Sequence, residues 1–575
     1  MDLVKENAIY NAKFVRIVCV GAGASGICLA YKLQRSFTNY SLTIYDKNPE
    51  IGGTWYENRY PGCACDVPSH NYTYSFDPKP NWSSVYPGSG EIRGYFEDFV
   101  EKHKLRQFIH ASHLVTGAAW DAVKGEWEVE TRNLKTNQTT KNYCDILIHA
   151  TGYLNQPAWP NIPGLETFKG IKLHSANYDA TTDLSGRTVL IIGSGSSAVQ
   201  ILPAIQPIVG RAKVIIRTPS WILPDIGTEA SAFTPDQIQE FIEKPERLME
   251  RRRENEITMN SVFAVYMKNS AFQKEARDVL EDATRNIMGQ YSMVDKLIPD
   301  FSVGCKRLIP SGFNFLRALN KSNVTAIHSS ASSFTSTGCI TEDGQHHEAD
   351  VVICATGFNT SYVPRYPIIA SGTNLQDAWS QSITGYMGVG IPSFPNTFTM
   401  LGPYSPITNG PALIAIEAQA DYICSFIDRY QTEPIRSMTP RADVCQELME
   451  YTQQRMKSLV WGDKCRNTHN NHRIDGRLPT AWPGSTLHYL EALRDPRWDD
   501  WDIQYRGNRF AWLGNGISQT EWDPTADLAY YIRARDDNPH LSKKARYLAI
   551  AKTGSQPPRE LHSLGKLRQM RPSRL

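Results

Sequence analysis

The sequence predicts an α/β protein built on two nucleotide-binding units, and three observations support this fold class. Residues 15–46 contain an apolar segment, a glycine-rich turn, a helical segment and a second strand, which is a βαβ opening. The same order recurs at 187–217. A charged, helix-favouring segment at about 226–300 then precedes another apolar strand at 349–358. We therefore expect two Rossmann-like dinucleotide-binding domains, both discontinuous, with a helical insertion.

The first glycine-rich turn is Gly21-Ala22-Gly23-Ala24-Ser25-Gly26, and it directly follows a strand. Glycines here permit a tight turn and let a pyrophosphate approach the backbone N–H groups at the helix N-terminus. Asp46 lies 20 residues after Gly26, at the end of the second strand, where its carboxylate can accept hydrogen bonds from ribose hydroxyls. The spacing predicts a dinucleotide site formed by Gly21, Gly23, Ser25, Gly26 and Asp46.

The second turn predicts a site for a different dinucleotide. It contains Gly193, Gly195, Ser196 and Ser197, and its second strand ends in Arg217-Thr218 instead of an acid. A guanidinium suits the 2′-phosphate of NADP, which a carboxylate would repel. Two further strands end in Ala-Thr-Gly, at 150–152 and 355–357, one after each nucleotide-binding half.

Composition argues against several classes of function. The 61 basic and 59 acidic side chains leave a formal net charge of +2, which gives no general electrostatic reason to bind nucleic acid or an anionic membrane. The eleven cysteines show no CxxC pair and no spacing typical of a zinc site or a disulfide framework, so we expect no metal and a reducing, cytoplasmic environment. The N-terminus lacks the order of a signal peptide, and the uncharged stretch 17–30 is too short to span a bilayer.

A longer string points to one family. The segment 52–62 reads GGTWYENRYPG and continues through Cys65-Asp66-Val67 to a run of aromatic residues at 72–76. It resembles the FAD-domain signature of type I Baeyer–Villiger monooxygenases, flavoenzymes that also bind NADP. Similar matches follow at 304–307 (GCKR), 482–489 (WPGSTLHY) and 513–516 (LGNG), so the resemblance covers about residues 14–535.

The resemblance implies a reaction and a set of site residues. Reduced FAD adds O2 at its C4a carbon, and the resulting peroxide, kept deprotonated, attacks a ketone that rearranges to an ester or lactone. Arg307 matches the cation that stabilises the peroxide, and Asp66 matches the carboxylate that orients this arginine. Lys306 matches a second cation for the 2′-phosphate, and Trp482 matches a tryptophan near the nicotinamide. The positions of the signature that match FAD-binding residues are Gly53, Thr54, Trp55, Asp66 and Tyr72.

The chain length of 575 residues requires several domains, and the motifs suggest where they meet. In chain order, we predict the FAD-binding domain, first part, at 1–155; the NADP-binding domain, first part, at 156–225; the helical insertion at 226–332; the NADP-binding domain, second part, at 333–385; the FAD-binding domain, second part, at 386–540; and a basic tail at 541–575.

Some residues leave alternatives open. A fingerprint of the family, Phe168-x-Gly170-x-x-x-His174, ends here at Tyr178 instead of tryptophan, which is closer to flavin monooxygenases that oxidise nitrogen or sulfur. A flavin disulfide reductase would need a redox cysteine pair, and Cys63 and Cys65 are too closely spaced to favour it. A redox sensor that binds nucleotides without catalysis is disfavoured by the retained Asp66 and Arg307. The substrate is expected to be a bulky hydrophobic ketone.

The final tripeptide Ser573-Arg574-Leu575 resembles the peroxisomal address whose usual form is Ser-Lys-Leu. It predicts a peroxisomal import receptor as a partner, and peroxisomal instead of cytoplasmic localisation if the tripeptide is recognised.

Overall fold

The computed structural model describes residues 7–223, 232–310, 312–406, 409–463, 465 and 481–553. By its internal contacts the chain divides into two units, one formed by Ala12–Ala511 and one by Met1–Asn11 together with Trp512–Leu575. The predictions for Ser573-Arg574-Leu575 and for most of the basic tail concern residues outside the described ranges.

The strands of the described residues, in chain order, are β1 (Val15–Val20), β2 (Tyr40–Tyr45), β3 (Ile109–His110), β4 (His113–Asp121), β5 (Glu126–Asn133), β6 (Thr139–Cys144), β7 (Ile146–His149), β8 (Ile171–His174), β9 (Thr188–Ile192), β10 (Arg211–Ile215), β11 (Val324–Ile327), β12 (Ala331–Phe334), β13 (Gly338–Thr341), β14 (His346–Glu348), β15 (Val351–Cys354), β16 (Ile368–Ala370), β17 (Thr373–Asn374), β18 (Thr397–Thr399), β19 (Ile435–Pro440) and β20 (Trp501–Tyr505).

The α-helices of the described residues, in chain order, are α1 (Ala24–Ser36), α2 (Thr54–Glu57), α3 (Ser89–Lys102), α4 (Ser196–Ile205), α5 (Pro235–Glu243), α6 (Pro245–Ser261), α7 (Ala271–Met288), α8 (Phe313–Leu319), α9 (Leu375–Gln381), α10 (Ala412–Thr432), α11 (Ala442–Met456), α12 (Thr486–Leu493), α13 (Gln519–Trp522) and α14 (Lys543–Thr553).

The first nucleotide-binding domain is centred on a parallel sheet of order β18-β7-β1-β2-β3. Strand β1 is almost wholly buried, which is why its sequence, VRIVCV, is nearly continuously apolar: helices cover both faces of such a sheet. Helices α1, α3 and α10 contribute to the core against this sheet. A second sheet, β17-β16-β4-β5-β6, packs its apolar residues against the other side.

The second nucleotide-binding domain is centred on a parallel sheet of order β11-β10-β9-β15-β8. Helices α4 and α8 pack on this sheet and bury the branched residues of β9 and β10. A small antiparallel sheet, β12-β13-β14, adds a separate layer. Two parallel sheets of this kind confirm the predicted α/β class.

The strand pairings correct two of the predicted ranges. Strand β11 falls within the predicted helical insertion at 226–332, yet it pairs with β10 in the second nucleotide-binding sheet. Strand β16 falls within the predicted second part of the NADP-binding domain at 333–385, yet it pairs with β4 of the first domain. Both errors arise because pairing between distant strands leaves no local signal in the sequence. Between β10 and β11, helices α5, α6 and α7 form a helical segment that precedes α8.

In the other unit, residues 7–10 pack against residues 512–517. Tyr10 stacks on Trp512 with ring centroids 5.0 Å apart. The backbone N–H groups of Ile9 and Asn515 donate to Ile517 and Asn7 respectively. A capping box at Ser518 and Glu521 begins α13. This unit therefore holds the N-terminal segment by backbone hydrogen bonds as well as by stacking.

The cysteines differ from the expectation in one respect. Cys305 and Cys465 form a disulfide across a separation of 160 residues, whereas the other nine are free. The sequence showed no spacing typical of a disulfide framework, because spacing along the chain cannot reveal a pair that only tertiary folding brings together. Among the described residues, no helix is long and apolar enough to cross a membrane, and no cluster of three metal-ligating side chains occurs.

Candidate active site

A cavity of about 1380 Å³ joins the two glycine-rich turns. The predicted site residues on its wall are Gly21, Gly23, Ser25, Asp46, Gly53, Thr54, Trp55, Asp66, Tyr72, Gly193, Gly195, Ser196, Ser197, Arg217, Thr218, Lys306 and Arg307. These residues come from many separate segments of the chain, so the fold converts scattered motifs into one continuous site.

The first turn fits a pyrophosphate because no side chain covers its backbone N–H groups. Gly21 has φ +111, and a Cβ at this position would lie 2.4 Å from the carbonyl oxygen of Ala150, so only glycine fits between β1 and the Ala-Thr-Gly strand exit. Gly23 is the N-cap of α1 and leaves the first N–H groups of the helix uncovered by a side chain. These N–H groups and the helix dipole favour an anion on the cavity side.

Asp46 is held in a fixed orientation below the first turn. Its two carboxylate oxygens accept the backbone N–H groups of Ala22, at 2.7 Å, and Asn48, at 2.8 Å. Burial raises the pKa of Asp46, and the same two hydrogen bonds oppose that rise. Each oxygen retains a second lone pair, so the carboxylate can still accept a hydroxyl from the cavity.

The second turn is built in the same way. Gly195 is the N-cap of α4, and apart from its chain neighbours no atom lies within 4 Å of the position that a Cβ would take there. Beside it, the Ser194 hydroxyl donates to the carbonyl of Thr218 at 2.7 Å, which ties the turn to the end of β10. The exposed Arg217 side chain therefore stands at the edge of the turn, on the cavity wall.

Arg307 and Asp66 form an ion pair on the cavity wall. The Arg307 side chain is 51% exposed and the Asp66 side chain 22%, so the guanidinium has free surface on the side that Asp66 does not cover. The negative charge of Asp66 raises the pKa of Arg307 above its ordinary value, against the opposing effect of burial. This position therefore carries a positive charge at every pH at which the protein is folded.

Aromatic residues of the signature string support the same wall. The Trp55 indole N–H donates to the Tyr72 hydroxyl at 3.1 Å, and the two rings meet edge to face with centroids 5.4 Å apart. Burial raises the pKa of Tyr72, so its hydroxyl stays neutral. Gly53 approaches Gly23 closely, which places the signature string directly against the first turn.

Lys306 also lies on the cavity wall, and its ammonium sits 5.0 Å from the centre of the Phe301 ring. A cation over an aromatic face is stabilised there without losing its charge. Lys306 and Arg217 thus place two cations on the wall of one cavity.

Two predicted residues do not line the cavity. Gly26 packs under the first turn, where a Cβ would lie 2.1 Å from the carbonyl oxygen of Gly21, so its role is to let helix and strand pack closely. Trp482 is 4% exposed and belongs to the core of the first domain. Its indole N–H donates to His488 at 3.0 Å. The motif around Trp482 instead presents Thr486 to the cavity.

The fingerprint residues His174 and Tyr178 are buried. His174 is fully buried, and its Nε2 lies 3.3 Å from the Thr356 hydroxyl, which itself donates to the Ala158 carbonyl. Burial lowers the pKa of His174, so it stays neutral. Tyr178 is buried in the core of the second domain.

Cys63 and Cys65 do not form a redox pair. Both are buried and free. Burial raises the pKa of Cys63 to about 11, and it raises that of Cys65 as well, so neither is a ready nucleophile at neutral pH. The chemistry of a disulfide reductase is therefore not supported.

Sequence reasoning missed the aromatic part of the wall. Tyr153 and Tyr362 approach each other with ring centroids 6.1 Å apart, and both line the cavity with Trp159 and Trp379. Burial raises the pKa of Tyr153, while the positive charge of Arg307 acts in the opposite direction. The one available signal was position, since Tyr153 directly follows the first Ala-Thr-Gly.

Comparisons with known proteins agree with this architecture. Residues 19–87 match the model of an NAD(P)-binding Rossmann-like domain. The FAD-binding monooxygenase stcW of Emericella nidulans is 33% identical, over 88% of this chain and 86% of its own. A Baeyer-Villiger monooxygenase of Streptomyces coelicolor is 32% identical, over 84% of this chain and 91% of its own. A closed crystal structure of cyclohexanone monooxygenase is 27% identical with a TM-score of 0.74, covering 86% of this chain and all (100%) of that one.

Proposed function

Because the chain belongs to the family of FAD-binding monooxygenases that includes the Baeyer–Villiger enzymes, we propose that it uses FAD and NADPH to insert one oxygen atom beside a ketone carbonyl. The overall reaction consumes the ketone, O2, NADPH and one proton, and gives an ester or lactone, NADP⁺ and water. The observation that supports it most directly is the Arg307–Asp66 ion pair on the wall of a cavity shared by both glycine-rich turns.

The residues present fit both cofactors. Bare helix N-termini at Gly23 and Gly195 suit two separate pyrophosphates. Asp46 suits a ribose hydroxyl, whereas Arg217 and Lys306 suit the 2′-phosphate that distinguishes NADP from NAD. We therefore assign FAD to the first turn and NADP to the second.

Bound FAD would supply the activation of O2, and the protein would supply position, charge and exclusion of water. Arg307 provides a fixed positive charge where negative charge must persist on oxygen during the attack on a carbonyl. Asp66 orients the guanidinium and leaves part of it exposed to the cavity. Trp55 and Tyr72 form an aromatic wall that excludes water next to the first turn.

Ketone oxidation is favoured over oxidation of nitrogen or sulfur. The feature that pointed to heteroatoms was Tyr178, and this residue is buried in the second domain's core. The pair that points to ketones, Arg307 and Asp66, lies on the cavity wall. A large aromatic wall that includes Tyr153, Tyr362 and Trp379 suits a bulky apolar ketone.

The C-terminal tripeptide supports a further, separate proposal. Ser573-Arg574-Leu575 would be recognised by a peroxisomal import receptor, and the enzyme would then act in that organelle instead of the cytoplasm.

The proposed function is tested by following flavin and product together. NADPH should bleach the oxidised flavin without oxygen, and admission of ¹⁸O2 with an apolar cyclic ketone should give a lactone that carries one ¹⁸O atom. Arg307→Ala should bleach in the same way but form no lactone, and the exposed Arg211→Ala serves as the matched control. Label in a sulfoxide or N-oxide only, across a panel of ketones, sulfides and amines, would overturn the proposal.

A further inference from the structure

The disulfide between Cys305 and Cys465 lies immediately beside the proposed catalytic cation. Cys305 directly precedes Lys306 and Arg307, and its partner is 160 residues further along the chain. Cys305 itself is completely buried and Cys465 almost so, in a cluster that also contains Trp221, Phe301 and Val303. We refer to residues 301–307 as the Arg307 loop. The bond thus connects the buried part of this loop to Cys465, which is distant in the sequence.

Polar contacts connect the same two segments. The backbone N–H and the hydroxyl of Ser302 both donate to the Asp463 carboxylate, the former at 3.4 Å. The Lys268 ammonium lies 3.1 Å from the other carboxylate oxygen. Charged hydrogen bonds that are partly shielded from water hold Asp463 in place. The residues 463 and 465 together therefore form one side of the support for the Arg307 loop.

The other side of the loop rests on the helical segment between β10 and β11. Gln273 on α7 accepts from the Val303 N–H at 2.9 Å and donates to the Val303 carbonyl at the same distance. Gly304 lies against the Tyr266 ring, and Tyr266 stacks on Trp461 with centroids 5.4 Å apart. The loop is thus held between α7 on one side and residues 463 and 465 on the other. The disulfide is the covalent contact on the second side.

We propose that the Cys305–Cys465 bond is a cross-link that positions Arg307 in the cavity, so that breaking it lowers catalysis. The inference rests on the proposed function of Arg307, but the bond itself can be tested independently. A dithiol breaks it by donating two electrons and two protons, so that the S–S bond becomes two S–H groups and the dithiol becomes a disulfide. Hydrogen peroxide re-forms it by accepting two electrons and the two thiol protons, and its O–O bond is cleaved to give two water molecules.

Reduction should leave the fold intact and loosen one loop. The ion pair of Arg307 with Asp66 and the two Gln273 hydrogen bonds do not depend on the cross-link. Reduction gives the backbone at Cys305, two residues before Arg307, more conformational freedom. Displacement of a charged group by a fraction of an ångström is enough to lower catalysis. We therefore expect an effect on the oxygen-insertion step and little effect on the binding of NADPH.

The first measurement is a thiol count on the air-oxidised full-length protein, denatured with and without prior reduction. The chain has 11 cysteines and nine of them are free, so nine thiols should react before reduction and 11 after it. Peptide mapping should identify a linked pair that contains Cys305 and Cys465. Eleven reactive thiols in the unreduced protein would overturn the cross-link, whatever the enzyme does.

The second measurement compares oxidised wild type, dithiothreitol-reduced wild type and Cys465→Ser, with Cys424→Ser as control because Cys424 is free and on α10. Reduced wild type and Cys465→Ser should show kcat for ketone oxidation lower by about 10-fold, with KM for NADPH unchanged. Peroxide should restore the reduced wild type, but not Cys465→Ser, and Cys424→Ser should match the oxidised wild type throughout.

Equal kcat values in the oxidised form, with nine reactive thiols, and in the reduced form, with 11, would refute the positioning role. If no ketone is oxidised by any form, the proposed function fails, and hydrogen exchange then decides the positioning role. The amide of Cys305, which donates to Ser302 at 3.1 Å, should exchange faster after reduction if the bond restrains the loop. Unchanged exchange would again refute it.

Discussion

Arg252 connects the helical segment to the signature string, and its removal gives a prediction whose size follows from the contacts. The guanidinium, buried on α6, donates to the carbonyls of His70 at 2.9 Å, Tyr74 at 3.2 Å and Ser75 at 3.1 Å. It also donates to the Thr73 hydroxyl at 3.3 Å. The segment 70–75 that it holds contains Tyr72, which lines the cavity.

Arg252→Met keeps the apolar stem and removes the donors to four oxygen atoms. A hydrogen bond from a charged donor contributes about 1.5–3 kcal/mol, and such contributions are not additive within one network. Because the four bonds share one guanidinium, we expect their joint loss to cost about 3–5 kcal/mol, less than the sum of four separate bonds. Burial lowers the pKa of Arg252, which shows that its desolvation already offsets part of the gain, so we expect the lower end of this range. A local loss of about 3 kcal/mol corresponds to roughly 150-fold faster opening of the segment.

Hydrogen exchange of the peptide 70–76 measures this opening directly. Two of its amides report on it, because Tyr74 N–H donates to the Tyr95 hydroxyl at 2.9 Å and Ser75 N–H donates to Glu417 at 2.7 Å. Arg253→Met is the matched control, since Arg253 is the next residue on α6 and is exposed. If the two variants exchange this peptide at the same rate, the hydrogen bonds of Arg252 do not hold the segment and the reasoning is refuted.

Further predictions concern cofactor choice, chemistry, pH and location. NADPH should reduce the flavin far better than NADH, and Arg217→Ala should weaken NADPH binding by about 10- to 100-fold while Arg211→Ala does not; equal use of both nucleotides by the wild type would remove the assignment. Arg307→Lys should recover little of the ketone oxidation lost in Arg307→Ala, because a point charge does not replace the planar guanidinium, and full recovery measured by product analysis would contradict this. Burial lowers the pKa of His149 from 6.5 to about 4, so the unfolded chain binds the proton first; the contribution of His149 to stability should be constant above pH 6.5 and fall between pH 6.5 and 4, so that thermal unfolding of His149→Gln shows a shallower decline than that of the wild type over this range. A fluorescent protein fused to the N-terminus should give punctate peroxisomal signal that becomes diffuse when the last three residues are removed, and diffuse signal from both fusions would leave the enzyme in the cytoplasm.

The parts of the fold that could be predicted are those whose signal is local. Strands β1, β9 and β15 are continuous apolar runs because parallel strands are buried on both faces. The glycine spacing of the turns after β1 and β9 is also local, although the carbonyls that exclude a Cβ at Gly21 and Gly193 belong to Ala150 and Ala355, far along the chain. Strand β16 could not be assigned, because its three residues match many patterns and its partner, β4, lies far away in the sequence.

The site divides in the same way. Asp46, Gly23 and Gly195 follow from spacing and helix geometry. Arg307 and Asp66 are ordinary charged residues in isolation, and only the strings around them indicated that they act together. Trp482 shows the limit of this reasoning, because a motif can be retained while one of its residues packs into the core. The aromatic wall depends on where loops meet, which no local pattern encodes.

Three consecutive side chains of the Arg307 loop, at residues 305–307, lie in three different environments. Cys305 points into the core, Lys306 lies over the Phe301 ring, and Arg307 reaches the cavity. Such divergence requires a fixed starting direction for the backbone, and Gly304 supplies it with φ +84, a conformation that other residues rarely adopt. A Cβ at Gly304 would also lie 2.8 Å from the Tyr266 ring, so the packing that sets the direction excludes any larger residue. The position of the Arg307 charge therefore depends on a glycine for its direction and on the Gln273 and Asp463 contacts for its support, and in our proposal on the disulfide for its restraint.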